Sequence, residues 1–303
     1  MADIPTLSDI VANTRETYGS RPPVQARVHD IETANAAGLL EVPAYTYRGE
    51  ADANWDSTES SMERLRKNDS LSEEDKRQIV ELTEALDAHL QKFFKLSKPL
   101  SAGLLQHYSL PTELIDVSPV LDVAAFFAAY ENTSGTGSIT LFPTDRLSGC
   151  AMIMDLTVLD FAQRPVSQRG YGVFHREFRD LRAEGFWEAV KPERYTFRIT
   201  PVDVERFVKG QPDLLTPYTD DFDPARAVIT HLIDLYSKKV EVLTPAAARW
   251  LAIRIPPTPL TVMGGEFNEA EAVLDIKRRK DAPEPYRREH QIDQNCRRWS
   301  GGA

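Results

Sequence analysis

Cysteine is nearly absent. Cys150 and Cys296 are the only two in 303 residues and lie far apart in the chain, so a disulfide framework and a four-cysteine zinc site are both excluded. That usage fits a reducing compartment, and a cytoplasmic location is expected. Histidine is sparse as well. The six histidines (His29, His89, His107, His175, His231 and His290) include no pair at ligand spacing, and no metal is expected. Long apolar runs are missing: the longest, Val120 to Tyr130, contains Asp122 and is too short to span a bilayer. The first residues show no basic segment followed by an apolar one, so no secretory signal is expected. Nor does the chain contain a P-loop, a GxGxxG, an HExxH or a GxSxG.

Basic charge is also short. The net charge is −10, which disfavours a surface that clamps nucleic acid, because phosphate binding needs clustered Lys and Arg. The deficit is uneven. From Lys277 onward eight basic residues face four acidic ones. Contact with nucleic acid is therefore expected only through this tail, whose plainer reading is a solvated helix end and a disordered segment. A protein partner is also compatible with an acidic body and a basic tail.

What is present reads as α+β, a mixed sheet with packed helices and a helical C-terminal region, without a regular βαβ alternation. Thr6 and Asp9 form a capping box for a first helix carrying Leu7, Ile10 and Val11. Arg21 to Gly38, with Pro22-Pro23, reads as a connector. Val42 to Arg48 alternates and reads as a strand, turning sharply at Gly49-Glu50. Ser72 and Asp75 open the clearest helix, Glu73 to about Leu96, with Ile79, Leu82, Leu86 and Leu90 on one face. Ser118-Pro119 reads as an N-cap and first helical position for an Ala/Phe-rich helix from Val120 to Tyr130. Strands are expected at 114–117, 138–142, 152–158, 172–174 and 195–199, and helices after Asp223 and Thr244 and from Asn268. The domain reading is 1–40 as N-terminal helix and connector, 41–210 as the main domain, 211–280 as a helical subdomain, and 281–303 as a basic tail.

Three local clusters carry chemistry. Tyr47-Arg48-Gly49-Glu50 puts an arginine at a strand end, a fixed fork of donors suited to phosphate or carboxylate; its structural alternative is a salt bridge with Glu50 or Asp116. In the segment 104–130, Gln106, His107, Thr112 and Asp116 are polar among apolar neighbours. Burying four such groups requires a mutual hydrogen-bond network or a ligand. The third cluster, Arg164 to Phe174, joins Gln168, two glycines, Tyr171 and Phe174 in one loop-like stretch.

In this order the clusters resemble the FRG domain, a family named for an (F/Y)-R-G motif. The matches are Tyr47-Arg48-Gly49, then Gln106-His107-Tyr108 with Leu110-Pro111-Thr112 and Leu114-Ile115-Asp116. The Ala/Phe helix around Ala124 to Ala128 follows, and then Arg164, Gln168 and Phe174. The departures are Ser109 where the family favours Gly, Glu113 where it often has Arg or Lys, Val117 where it often has Trp, and Glu50 in place of a frequent Gln. The resemblance implies a bacterial or phage setting, with defence or toxin roles in some neighbourhoods.

Three functions follow as expectations. The first is a binding module whose Arg-centred pocket takes a nucleotide, a phosphate or a protein carboxylate, with Tyr47, Gly49, Glu50, Gln106, Thr112, Asp116, Tyr171 and Phe174 lining or bracing it. The second is an NAD-dependent enzyme with an ADP-ribosyltransferase-like core. Tyr47-Arg48-Gly49 looks like the first-strand arginine motif of that superfamily, which implies NAD as cofactor and catalytic roles for Arg48, His107 and Gln168, with Tyr171 or Phe174 stacking on a flat ring. The Glu-x-Glu of that superfamily is missing, and Gln168 cannot supply the charge that stabilises an oxocarbenium-like centre. The third is a nucleic-acid-acting effector, disfavoured by charge and by the lack of an acidic metal cluster.

Overall fold

Local sequence signals set most element boundaries in the computed structural model. It describes residues 4–29, 37–57, 59–93, 95–158, 162–174, 185–211, 214, 224–239 and 243–254, all within one compact unit, Met1–Pro259. Helix α1 (Leu7–Tyr18) is opened by the expected capping box, Thr6 and Asp9 exchanging side-chain and backbone bonds. The long helix is α3 (Glu73–Phe93), and its apolar stripe is fully used: Ile79, Leu82, Leu86 and Leu90 are at most 1% exposed. Each such burial contributes about 1.5–3 kcal/mol relative to exposure.

Two sheets form the β portion. Strands β1 (Val24–His29), β2 (Ala37–Val42), β4 (Ile115–Val117), β6 (Met152–Asp155) and β7 (Tyr171–Phe174) make a five-stranded mixed sheet in the order β2-β1-β6-β7-β4. Its β1–β6 pair is parallel and the others are antiparallel. Strands β3 (Tyr45–Glu50), β5 (Thr136–Pro143) and β8 (Glu193–Arg198) form a three-stranded antiparallel sheet in the order β3-β5-β8. The sheets meet where Tyr47 and Ser118 exchange backbone hydrogen bonds of 2.7 and 2.8 Å. This is the expected α+β class with a mixed sheet.

Helix α5 (Leu121–Ala129) lies on β3, and its alanines are buried in a core shared with α1 and β5. The remaining described helices are α2 (Ser61–Arg66), α4 (Lys98–His107), α6 (Thr144–Cys150), α7 (Gln163–Ser167), α8 (Phe186–Val190), α9 (Pro201–Val204), α10 (Pro224–Lys239) and α11 (Pro245–Arg254). A π-helical turn, Glu205–Lys209, continues α9. Helices α10 and α11 both pack on α3.

Four sequence expectations need correction. The connector 21–38 holds β1 and the start of β2: Ala26 and Val28 alternate inward between exposed Gln25 and Arg27, half-buried strand chemistry masked by Pro22-Pro23. Gly49 is not at a turn but inside β3. Ser118 is not the N-cap of α5; Val120 occupies that position, while Ser118 Oγ accepts from the Val120 N–H and donates to the Gln168 carbonyl. The strand expected at 152–158 stops at Asp155 and turns into a 3₁₀ helix, Leu156–Val158. The acidic segment 211–223 (apart from Gln211 and Leu214), the helix from Asn268 and the basic tail lie outside the described residues.

Candidate functional site

Strand geometry places Arg48 and Glu50 two residues apart, hence on one face of β3. Both are buried, at 8% and 4% exposure. Arg48 Nε donates to Glu50 Oε1 at 2.5 Å, and Arg64 Nη2, from α2, donates to the same oxygen at 2.5 Å. Arg48 Nη2 also reaches the Glu59 carbonyl at 3.2 Å. One carboxylate thus serves two guanidiniums. Burial lowers the pKa of Arg48 from its ordinary value, and Glu50 opposes that shift. An arginine stays charged under such conditions. The structural salt bridge with Glu50 is therefore real, yet it satisfies only part of Arg48.

The second cluster sits at the end of α4 and along β4. Gln106 Nε2 donates to Asp116 Oδ2 at 3.1 Å, while Gln106 Oε1 accepts from Ser61 Oγ (2.5 Å) and Thr112 Oγ1 (2.7 Å). The network alternative holds for Gln106 and Thr112. His107, the last residue of α4, pairs through Nδ1 with Gln168 Oε1 at 2.8 Å. Because a carbonyl oxygen accepts, Nδ1 carries the proton and Nε2 is left as an acceptor. Arg164 Nη1 donates to the His107 carbonyl at 3.0 Å and its guanidinium lies over the Tyr108 ring. Burial holds the His107 pKa below its ordinary value, with Asp116 and Gln168 opposing. The ring is therefore neutral near pH 7.

These groups surround one cavity of about 230 Å³, lined by Tyr47, Arg48, Gly49, Glu50, Arg64, Gln106, His107, Asp116 and Gln168, with Val117, Ser118, Ala124, Phe127 and Gly170 among its other walls. Four of the lining residues each carry a buried polar atom with no hydrogen-bond partner among the described residues: Arg48 Nη1, Arg64 Nε, His107 Nε2 and Asp116 Oδ1. Each such atom costs about 1–3 kcal/mol if nothing meets it. Two are donors and two are acceptors. The formal charges of Arg48, Arg64, Glu50 and Asp116 cancel. Gly170 keeps bulk away from the imidazole, since a Cβ there would lie 3.1 Å from His107 Nε2.

Of the residues expected from sequence, eight come together here: Tyr47, Arg48, Gly49, Glu50, Gln106, His107, Asp116 and Gln168. Thr112 stands behind Gln106 as a brace. Tyr171 and Phe174 are not brought to the cavity. Phe174 is 1% exposed in the core and Tyr171 packs beside a separate apolar cluster, so the stacking role expected of them is withdrawn. Arg64 was missed. Its only signal is the Ser60-x-x-Glu63 capping pattern that starts α2, and Ser60 does cap that helix.

The three clusters now have a common geometry, and the order of their motifs has a match. Residues 43–136 match the model of the FRG domain. The chain contains an FRG domain. The matched span includes Arg48 and the Gln106-to-Asp116 segment. Gln168 lies beyond it, and the fold brings this residue back against His107. No curated protein and no solved structure matches the chain.

Three family departures acquire physical content. Ser109 adopts φ +68° at the residue after the α4 cap. There the Leu110 N–H reaches the Leu105 carbonyl and the Ser109 N–H reaches Gln106. This is a Schellman ending, whose left-handed position favours glycine. Glu113 accepts from Arg66 at 2.7 Å. Val117 is buried and forms part of the cavity wall. Among the described residues no group of three side chains is placed to hold a metal, and no helix is long and apolar enough to cross a membrane.

Proposed function

We propose that the FRG-domain cavity binds the phosphate-bearing sugar of a nucleotide. An anionic group meets Arg48 and Arg64, and hydroxyl donors meet Asp116 and His107. The observation that carries this reading is the buried, unpartnered Nη1 of Arg48 in a cavity whose other unpartnered atoms include two acceptors. A bare anion would use only the donors. A phosphorylated sugar uses both kinds, and a charge-balanced wall tolerates it without a large field of one sign.

Thermal-shift titration of wild type and Arg48→Gln with NAD, ADP-ribose, ATP and inorganic phosphate tests the reading. A ligand that binds only the folded state raises its melting temperature. A shift with a nucleotide that disappears in Arg48→Gln supports it. No shift with any nucleotide overturns it, and a protein carboxylate then becomes the candidate for the same guanidiniums. Arg48→Lys keeps the charge while losing the fork, and guards against a destabilised Gln variant.

A catalytic form of the same reading is favoured by one observation: His107 is neutral, oriented by Gln168, and keeps an acceptor nitrogen in the cavity wall. Such a group can take a proton from a bound hydroxyl. Nicotinamide release from NAD by wild type, lost in His107→Asn, is the expected result for an NAD-dependent ADP-ribosyltransferase-like enzyme. Binding without turnover assigns the domain to recognition alone.

A further inference from the structure

Beside the polar cavity lies a larger one. It is about 560 Å³ and is walled by Trp55, Leu110, Pro111 and Trp250 among other residues. The two share Arg64, Gln106 and Ser109. Small-molecule sites commonly occupy about 300–1,000 Å³. The inner cavity falls below that range and suits one polar fragment, whereas the outer one falls within it.

The walls also differ in chemistry. The inner cavity is lined by the four residues that carry unpartnered polar atoms, of which Arg64 is shared with the outer one. The outer one presents two indoles, a proline and two leucines, with Glu59, Lys67 and Asn68 among its polar walls. Trp55 is 45% exposed, yet it is not loose, because the Arg64 guanidinium sits 4.9 Å from its ring centroid. Arg64 is in turn fixed by Glu50. A large aromatic surface is thus held in place at a cavity wall by Arg64 while nearly half of the residue stays open. Such surfaces stack on planar groups.

We infer that the outer cavity takes the planar base of the nucleotide whose phosphorylated sugar occupies the inner one. Trp55 is the stacking surface and Arg64 is the joint between the two subsites. This rests on the reading of the inner cavity given above. It adds a second recognition element, on a residue that is not part of the Tyr-Arg-Gly cluster, and it places the selectivity for a base outside the polar wall.

Calorimetric titration of the full chain with ribose 5-phosphate and with adenosine 5′-monophosphate separates the two subsites. The monophosphate is expected to bind more tightly. Trp55→Ala removes that advantage, a loss of about 5- to 150-fold, and leaves ribose 5-phosphate unchanged, while Trp55→Phe restores most of it. In the unaltered chain, tryptophan emission is quenched by the monophosphate and not by ribose 5-phosphate, a readout that does not depend on any variant folding. If Trp55→Ala changes neither affinity, or both equally, and quenching is absent, the outer subsite is wrong. The inner reading then survives provided ribose 5-phosphate binds and Arg48→Gln abolishes it. If neither probe binds wild type, both readings fall together.

Discussion

Gly49 and Ala124 approach so closely that a Cβ on Gly49 would lie 1.8 Å from the Ala124 carbonyl oxygen. The glycine of the Tyr-Arg-Gly motif is thus a packing residue. It lets α5 settle onto β3 at the residue next to Arg48. Gly49→Ala is expected to cost about 3 kcal/mol or more, since the clash is with backbone and a packed core resists added atoms. Chemical denaturation reads this directly, and a loss below about 1 kcal/mol would show that α5 can slide away.

Glu50 forms an ion pair with both Arg48 and Arg64. Replacing it with the near-isosteric Gln keeps an acceptor and removes the compensating charge. Breaking a buried pair in this way costs about 3–5 kcal/mol. The lower end is expected, because Arg64 is 26% exposed and can turn toward water. Denaturant midpoints of Glu50→Gln, Arg64→Met and the double variant check it. The double variant should recover part of the loss.

His107 imposes a pH dependence on stability. Its folded pKa lies below the unfolded value near 6.5. Between those two values the unfolded chain binds more protons, so stability rises with pH. The contribution is complete above about pH 6.5 and is lost as pH falls through the window below it. His107→Asn, which keeps a donor toward Gln168, should flatten that part of the profile. Unfolding free energies measured from pH 5 to 8 decide the point, and identical profiles for variant and wild type would reject it.

Ser109 holds φ +68° without being glycine. A left-handed conformation costs a side-chain-bearing residue about 1–2 kcal/mol. Ser109→Gly relieves that strain and gives back part of the gain through a more flexible unfolded chain. The expected balance is stabilisation of up to about 1 kcal/mol, seen as a higher melting temperature. A lower melting temperature would mean that the hydroxyl does work that the strain argument omits.

Legibility in the sequence followed physical cause. Helix α3 was readable because capping and a 3.6-residue apolar period agree, and β3 was readable from its alternation. Strand β1 was hidden because a Pro-Pro pair and two exposed polar side chains disguise its half-buried alternation. Helix α6 was hidden because its seven residues are too few to show a period. For the site, Arg48, Gln106, His107 and Asp116 stood out as polar residues among apolar ones. Arg64 and Trp55 did not, since a charged residue on a short polar helix and an aromatic in a loop look ordinary until the chain folds Arg64 against Glu50 and Trp55 against Arg64. Tyr171 and Phe174 misled for the opposite reason: aromatic residues next to glycines look like a ligand platform, but Phe174 is buried in the core and Tyr171 packs beside a separate apolar cluster.

The paired backbone hydrogen bonds between Tyr47 and Ser118 join the two sheets at the cavity wall. They make the two amides a clock. An amide deep in either sheet exchanges with solvent deuterium only when that sheet opens, whereas these two exchange whenever the sheets part along their shared seam. Their exchange rate therefore times the opening of the cavity itself, and a molecule lodged across the seam would slow both by the same factor.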